Sequence, residues 1–184
     1  MKFVKYNIND FSESDYNNCI SLMEKERKDY INSCTNEKGK RLSVFGEWIA
    51  KKLIAEKRGC DIKDIHIYRD SKGKPFTQIN DTFFSISHSG DFVCVAIDSV
   101  PIGVDIEVIR DINPALTKKV CSDNDLIFLE SGDKTLNFFK IWTAKEAYFK
   151  MVGTGIRRLK EISYTDLSPV HYFEDGLIIT IIKK

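Results

Sequence analysis

Phe45-Gly46-Glu47-Trp48-Ile49-Ala50-Lys51 and Phe139-Lys140-Ile141-Trp142-Thr143-Ala144-Lys145 share Phe, Trp, Ala and Lys at a constant offset of 94 residues. Both stretches lie in segments that read as long helices. Residues 41–58 carry Leu42, Phe45, Ile49, Leu53 and Ile54 at helical spacing, and residues 137–152 are strongly apolar. Beyond them Lys63-Asp64-Ile65 resembles Lys160-Glu161-Ile162 at an offset of 97. The order of elements around the two helices repeats as well, which points to an internal duplication.

Outward from the first helix, residues 1–8 read as a strand with Phe3, Val4, Tyr6 and Ile8. Asp10, Ser12 and Ser14 open an amphipathic helical segment to about residue 31, and 36–40 reads as a loop. Gly59 ends the long helix, 62–68 reads as a strand and 70–75 as a turn. Strands at 83–86 and 92–97 flank Ser87-His88-Ser89-Gly90-Asp91, which has the composition of a tight connection. In the second part, 102–109 reads as a strand, 113–130 as helical, and Gly153-Thr154-Gly155 stops the second long helix. Strands at 162–164, 171–173 and 177–182 close the chain, with Asp175-Gly176 as a hairpin turn. On this mapping nothing matches 92–97. The expectation is an α+β, pseudo-twofold fold with halves 1–100 and 101–184, the second truncated at its C-terminal end, forming one compact unit with a cleft between them.

The 184 residues are 42% hydrophobic, too apolar for an intrinsically disordered chain. Lys and Arg number 28 against 27 Asp and Glu, so a net charge of +1 gives nucleic acid no broad attraction. No apolar run reaches the ~18 residues of a membrane span, and the N-terminus lacks the apolar core of a signal peptide. The five cysteines are scattered, without C-x-x-C spacing. A cytoplasmic, monomeric protein is expected, with no membrane and no nucleic-acid partner.

Three segments carry candidate chemistry. In Pro101-Ile102-Gly103-Val104-Asp105-Ile106-Glu107, alternation along a strand projects Asp105 and Glu107 to one side and Val104 and Ile106 to the other. Two adjacent carboxylates repel unless a cation lies between them, and oxygen-only ligands suit Mg²⁺; the exposed face of an edge strand would carry the same pattern. In Trp142-Thr143-Ala144-Lys145-Glu146-Ala147-Tyr148-Phe149-Lys150, Glu146 and Lys150 share a helical face bordering the core. Glu146 can complete a three-carboxylate metal site and Lys150 can contact a phosphate, or the two form an ordinary surface pair. Lys72-Gly73-Lys74-Pro75 and Phe83-Phe84-Ser85-Ile86-Ser87-His88-Ser89-Gly90-Asp91 offer glycines for close backbone approach, with Lys74, Ser87 and His88 as donors for phosphate oxygens.

In this order, G-K-P, F-S-I-S-H-S, I-G-V-D-I-E and W-T-A-K-E-A-x-x-K resemble the 4′-phosphopantetheinyl transferases of the surfactin-synthetase-activating type, most densely from Lys72 to Gly155. That family is also a pseudo-dimer of two similar halves. The resemblance implies transfer of 4′-phosphopantetheine from coenzyme A to a serine of an apo acyl, peptidyl or aryl carrier protein, releasing adenosine 3′,5′-bisphosphate. It implies Asp105, Glu107 and Glu146 as ligands of Mg²⁺, or Mn²⁺ in its place, and Glu146 as acceptor of the serine proton. Lys150 and His88 would stabilise phosphate charge, Ser87 would add a contact, and Lys74 and Pro75 would lie by the adenosine. The family grips the 3′-phosphate with basic residues ahead of the first long helix. Lys25, Arg27, Lys28 and Arg41 are available here, with Lys28 and Arg41 taken as the candidates. The carrier would meet residues 113–130, where Lys118-Lys119 complements acidic partners. A metal-dependent nuclease remains a rival reading, although that chemistry prefers a lysine two residues after the glutamate and position 109 is Ile109. A non-catalytic module binding coenzyme A or a carrier is the other.

Overall fold

The computed structural model describes residues 1–155 and 159–184. The first half runs β1 (Lys2–Asn7), α1 (Glu13–Ser21), α2 (Lys25–Ser33), α3 (Glu37–Arg58), a small ribbon β2 (Tyr68–Arg69) and β3 (Pro75–Phe76), then β4 (Phe83–Ser89) and β5 (Phe92–Asp98). The second runs β6 (Ile102–Val108), α4 (Pro114–Val120), α5 (Asp123–Glu130), α6 (Lys134–Val152), β7 (Val170–Glu174) and β8 (Leu177–Lys183). Each half holds a three-stranded antiparallel sheet with one strand order: first strand, last strand, penultimate strand.

Alternation along the strands builds the layers. Val93, Val95 and Ile97 of β5 pack with Phe45, Ile49 and Leu53 of α3, while Cys94 and Ala96 face the second sheet. Leu177, Ile179 and Ile181 of β8 join that inter-sheet core with Val104 and Ile106 of β6. Ile178 and Ile182 instead pack toward α6. The order of layers is therefore α3, first sheet, second sheet, α6, and the halves share a buried apolar seam.

Several expectations need correction. Leu177–Lys183 sits centrally in its sheet as Phe92–Asp98 does in its own, so the second half does have a counterpart to 92–97. What it lacks, among the described residues, is the ribbon β2–β3. The first helical segment is two helices, and so is 113–130. Ser12 and Ser122 each form a capping box, with Asp15 and Asp125. The long helix starts inside the expected loop because the Asn36 side chain caps it by accepting from Gly39 N–H at 2.9 Å. The expected strands at 62–68 and 162–164 do not form as such: 3₁₀ turns occupy Ile62–Asp64, Leu159–Glu161 and Tyr164–Asp166, and the strand near the first range is confined to Tyr68–Arg69. Asp125 takes the Tyr164 N–H at 2.7 Å, which leaves no sheet partner there. Strand β4 extends through Ser89, so the hairpin turn is Gly90-Asp91 alone. No described helix is long and apolar enough to cross a membrane.

Candidate active site

Gly103 lets β6 lie against α6: a Cβ there would fall 1.8 Å from the Ala147 carbonyl oxygen. This approach places Asp105 and Glu107 of β6 beside Glu146 and Lys150, one turn apart on α6. The Lys150 ammonium lies 2.5 Å from Asp105 Oδ1 and 3.8 Å from Glu146 Oε2, and donates to Ser87 Oγ at 2.7 Å. Glu107 Oε2 accepts from Ser89 Oγ at 2.7 Å and lies 3.3 Å from Arg110 Nη1. The two acidic strand residues and the Glu146-Lys150 pair, separate in sequence, form one constellation.

Its electrostatics set buried carboxylates against one ammonium. Burial, followed by the charge of Asp105, pushes the Glu146 carboxyl up to about 7 even with Lys150 opposing. Burial works against the Lys150 ammonium, yet Asp105 and Glu146 together hold it above the ordinary lysine value. Asp105 is 2% exposed, and its Oδ2 is buried without a partner. Three carboxylates thus face one ammonium, and an orphaned oxygen among them suits a hard divalent ion. Among the described residues no three acidic, His or Cys side chains are drawn close enough to hold a metal as they stand, and Lys150 makes the contact to Asp105. The donor set nevertheless fits Mg²⁺ in number and chemistry.

A cleft of about 270 Å³ adjoins this cluster, lined by Gly73, Lys74, Pro75, Ile86, Lys150 and Gly153. It joins the ribbon and β4 of the first half to the end of α6. Lys74 is turned onto that end, donating to the Met151 carbonyl at 2.8 Å, and burial lowers its pKa against the pull of Asp70. Ser87 is buried at the seam, whereas His88 is exposed and alternates to the other face of β4. Lys28 and Arg41 do not line the cleft. Lys28 bonds the Ser21 carbonyl at 2.9 Å, tying α2 to α1. Arg41 bonds Glu13 at 3.0 Å and the Phe11 carbonyl at 2.6 Å, lying over the rings of Tyr16 and Phe45.

A basic group that sequence reasoning did not assemble sits beside the ribbon. Arg27 Nε and Arg69 Nη2 lie 3.0 and 2.7 Å from Oε2 of Glu47, which is 1% exposed. Arg27 also donates to Ser43. Two guanidiniums on one carboxylate leave a positive charge, and Arg69 is the register partner of Pro75, which lines the cleft. Arg27 was one of four candidates; Arg69 was missed, and its nearness to the G-K-P turn was the available signal. Ser85 and Ser89 were likewise passed over, though serine at every second position of a strand marks one face.

Two family profiles match the chain. One, described as 4′-phosphopantetheinyl transferase superfamily, matches residues 101–174; the other, 4′-phosphopantetheinyl transferase, N-terminal, matches residues 10–100. The 4′-phosphopantetheinyl transferase gsp of Aneurinibacillus migulanus is 31% identical over 85% of this chain and 66% of its own length. The 4′-phosphopantetheinyl transferase psf-1 of Bacillus pumilus is 34% identical over 63% of this chain and 52% of its own. The 4′-phosphopantetheinyl transferase Sfp of Bacillus subtilis strain 168 is 28% identical over 79% and 66%. The chain thus spans between half and two thirds of the length of these curated relatives.

Proposed function

The chain belongs to the 4′-phosphopantetheinyl transferase superfamily, and we propose that it transfers 4′-phosphopantetheine from coenzyme A to a serine hydroxyl of an apo carrier protein. The placement of Asp105 and Glu146 against Lys150, which lines the cleft, with the charge of Glu107 also acting on that ammonium, carries this reading. Asp105, Glu107 and Glu146 would hold Mg²⁺, which when bound supplies neutralising charge to the pyrophosphate. Glu146 takes the proton of the attacking serine hydroxyl. The serine oxygen bonds to the phosphorus bearing the pantetheine arm, and adenosine 3′,5′-bisphosphate leaves with the electrons of the broken P–O bond. Lys150 donates to phosphate oxygens with Ser87 beside it, His88 approaches from the other face of β4, and Lys74 and Pro75 border the adenosine.

For the 3′-phosphate, the Arg27–Arg69 group beside the ribbon is a better supported grip than Lys28 and Arg41, whose contacts lie within the α1–α3 packing. The carrier meets α4 and α5. The repeated connectivity supports an internal duplication, with the halves dividing near residue 100. The protein acts as a cytoplasmic monomer without nucleic acid.

Incubation with coenzyme A, Mg²⁺ and a panel of apo acyl, peptidyl and aryl carriers tests the reading by intact mass. A gain of ~340 Da on one acceptor, the mass of the carried group, is expected, and chelation should abolish it. No gain on any acceptor, with cleavage of a phosphodiester substrate instead, would replace it with the nuclease reading.

A further inference from the structure

Strands β4 and β6 meet at the seam between halves without a shared backbone ladder. The edge amides of β6 are satisfied by side chains instead. Ser85, Ser87 and Ser89 accept from the N–H groups of Val104, Ile106 and Val108 at 3.1, 3.4 and 3.1 Å. A hydroxyl that accepts still has a proton to donate, and two of the three aim it at the residue preceding the amide. Ser87 donates to Asp105 Oδ1 and Ser89 to Glu107 Oε2, both at 2.7 Å. At the third rung the preceding residue is Gly103, which offers no acceptor side chain.

We infer that Ser87 and Ser89 are positioning residues that transmit the register of the two halves to the acidic pair. Each hydroxyl locks one carboxylate to the amide next to it, so the spacing of Asp105 and Glu107 is set by β4 rather than by side-chain rotamers. This rests on the metal reading above, and Ser85 provides the internal control, since it holds the seam without holding a carboxylate. Partners that orient ligands from behind are worth about 10- to 100-fold in metal affinity.

The test compares Ser85→Ala, Ser89→Ala and Ser89→Thr in the full chain, by calorimetric titration with Mg²⁺ and by amide exchange in the metal-free protein. Ser85→Ala should deprotect the Val104 amide and Ser89→Ala the Val108 amide, with comparable losses in melting temperature. Only Ser89→Ala should weaken Mg²⁺ binding, by about 10- to 100-fold, and Ser89→Thr, which keeps the hydroxyl, should recover it. Equal Mg²⁺ affinities for Ser85→Ala and Ser89→Ala would overturn the inference while leaving the functional reading intact. Wild-type protein that binds no Mg²⁺ would overturn the metal reading itself, and this inference with it.

Discussion

In the first half β1 turns Val4 and Tyr6 toward α3; in the second, β6 turns Asp105 and Glu107 toward α6 from the equivalent register positions. On the long helices, Lys52 and Glu56 stand where α6 carries Glu146 and Lys150. The frameworks agree closely. Both long helices end on a left-handed glycine, Gly59 and Gly153, and a 3₁₀ turn follows each. Both bury the lysine of the shared Trp-x-Ala-Lys pattern. Lys51 bonds the Leu22 carbonyl and Glu24, and Lys145 bonds the Val120 carbonyl and Asp125. The first half shows that this layer closes with apolar side chains. The second half instead buries Asp105 against Lys150 and Ser87, an arrangement in keeping with the ligand role proposed above.

A second contrast lies deeper. Ile49, Ile86 and Val95 fill the first core where the second places Thr143, His171 and Thr180. There a hydrogen-bonded chain runs from Tyr164 Oη through His171 to Thr180 Oγ1, at 3.1 and 2.8 Å, and on to Thr143 at 2.5 Å. At these three positions the first half packs apolar side chains, whereas the second trades that packing for directed bonds.

The largest effect should separate the halves by chemistry. Glu146→Ala is expected to lower carrier modification by about 10²- to 10⁴-fold with the fold retained, whereas Val4→Ala should lower stability and leave turnover of the folded protein unchanged. Intact-mass time courses beside urea melts check both; comparable losses of turnover would erase the contrast. Next, Lys145→Met should cost about 3–5 kcal/mol, because Asp125 would stay buried without its counter-charge. Lys51→Met should cost less, since Glu24 is partly exposed and also lies 3.3 Å from His66. Urea midpoints decide the ranking.

Glycine substitutions sharpen the contrast further. Gly103→Ala drives a Cβ into the backbone of α6, while at Gly46 the obstacle is the tip of Ile86, 2.8 Å away. Overpacking of about 1–3 kcal/mol is expected near its upper end for Gly103→Ala and its lower end for Gly46→Ala, by thermal melting. The smallest effect concerns pH. Burial, and then Lys140, hold His171 down to about 4 from an ordinary 6.5. The fold binds its neutral form, so this contribution is complete above pH ~6.5 and fades as pH falls toward 4. His171→Gln should flatten stability between pH 7 and 4.5 relative to wild type, and an unchanged slope would remove His171 from the chain of bonds.

The layered α+β architecture was legible because both long helices carry the same periodic residues and both hairpins carry glycine at the turn. Period alone put Asp105 with Glu107 on one strand face and Glu146 with Lys150 on one helix face, but it left both open to an ordinary surface reading, and only the family resemblance joined them. The basic residues ahead of the first long helix were not legible. Arg41 and Arg27 look alike in sequence, and only tertiary contacts show one satisfied within the α1–α3 packing and the other joined to Arg69 over Glu47. Breaks such as Ser122 were missed because the apolar residues continue across them, while the capping box and the Lys145 bond to Val120 end one helix and begin the next.

The side-chain closure of β6 has a consequence for solubility. A strand edge left open recruits other strands, and the amides of Val104, Ile106 and Val108 are closed by three serine hydroxyls from the opposite half. Cutting the chain near residue 100 would therefore expose a templating edge on the C-terminal fragment. Such a fragment, expressed without residues 83–89, would be prone to self-pairing and precipitation, and supplying the first half in trans would restore it to solution.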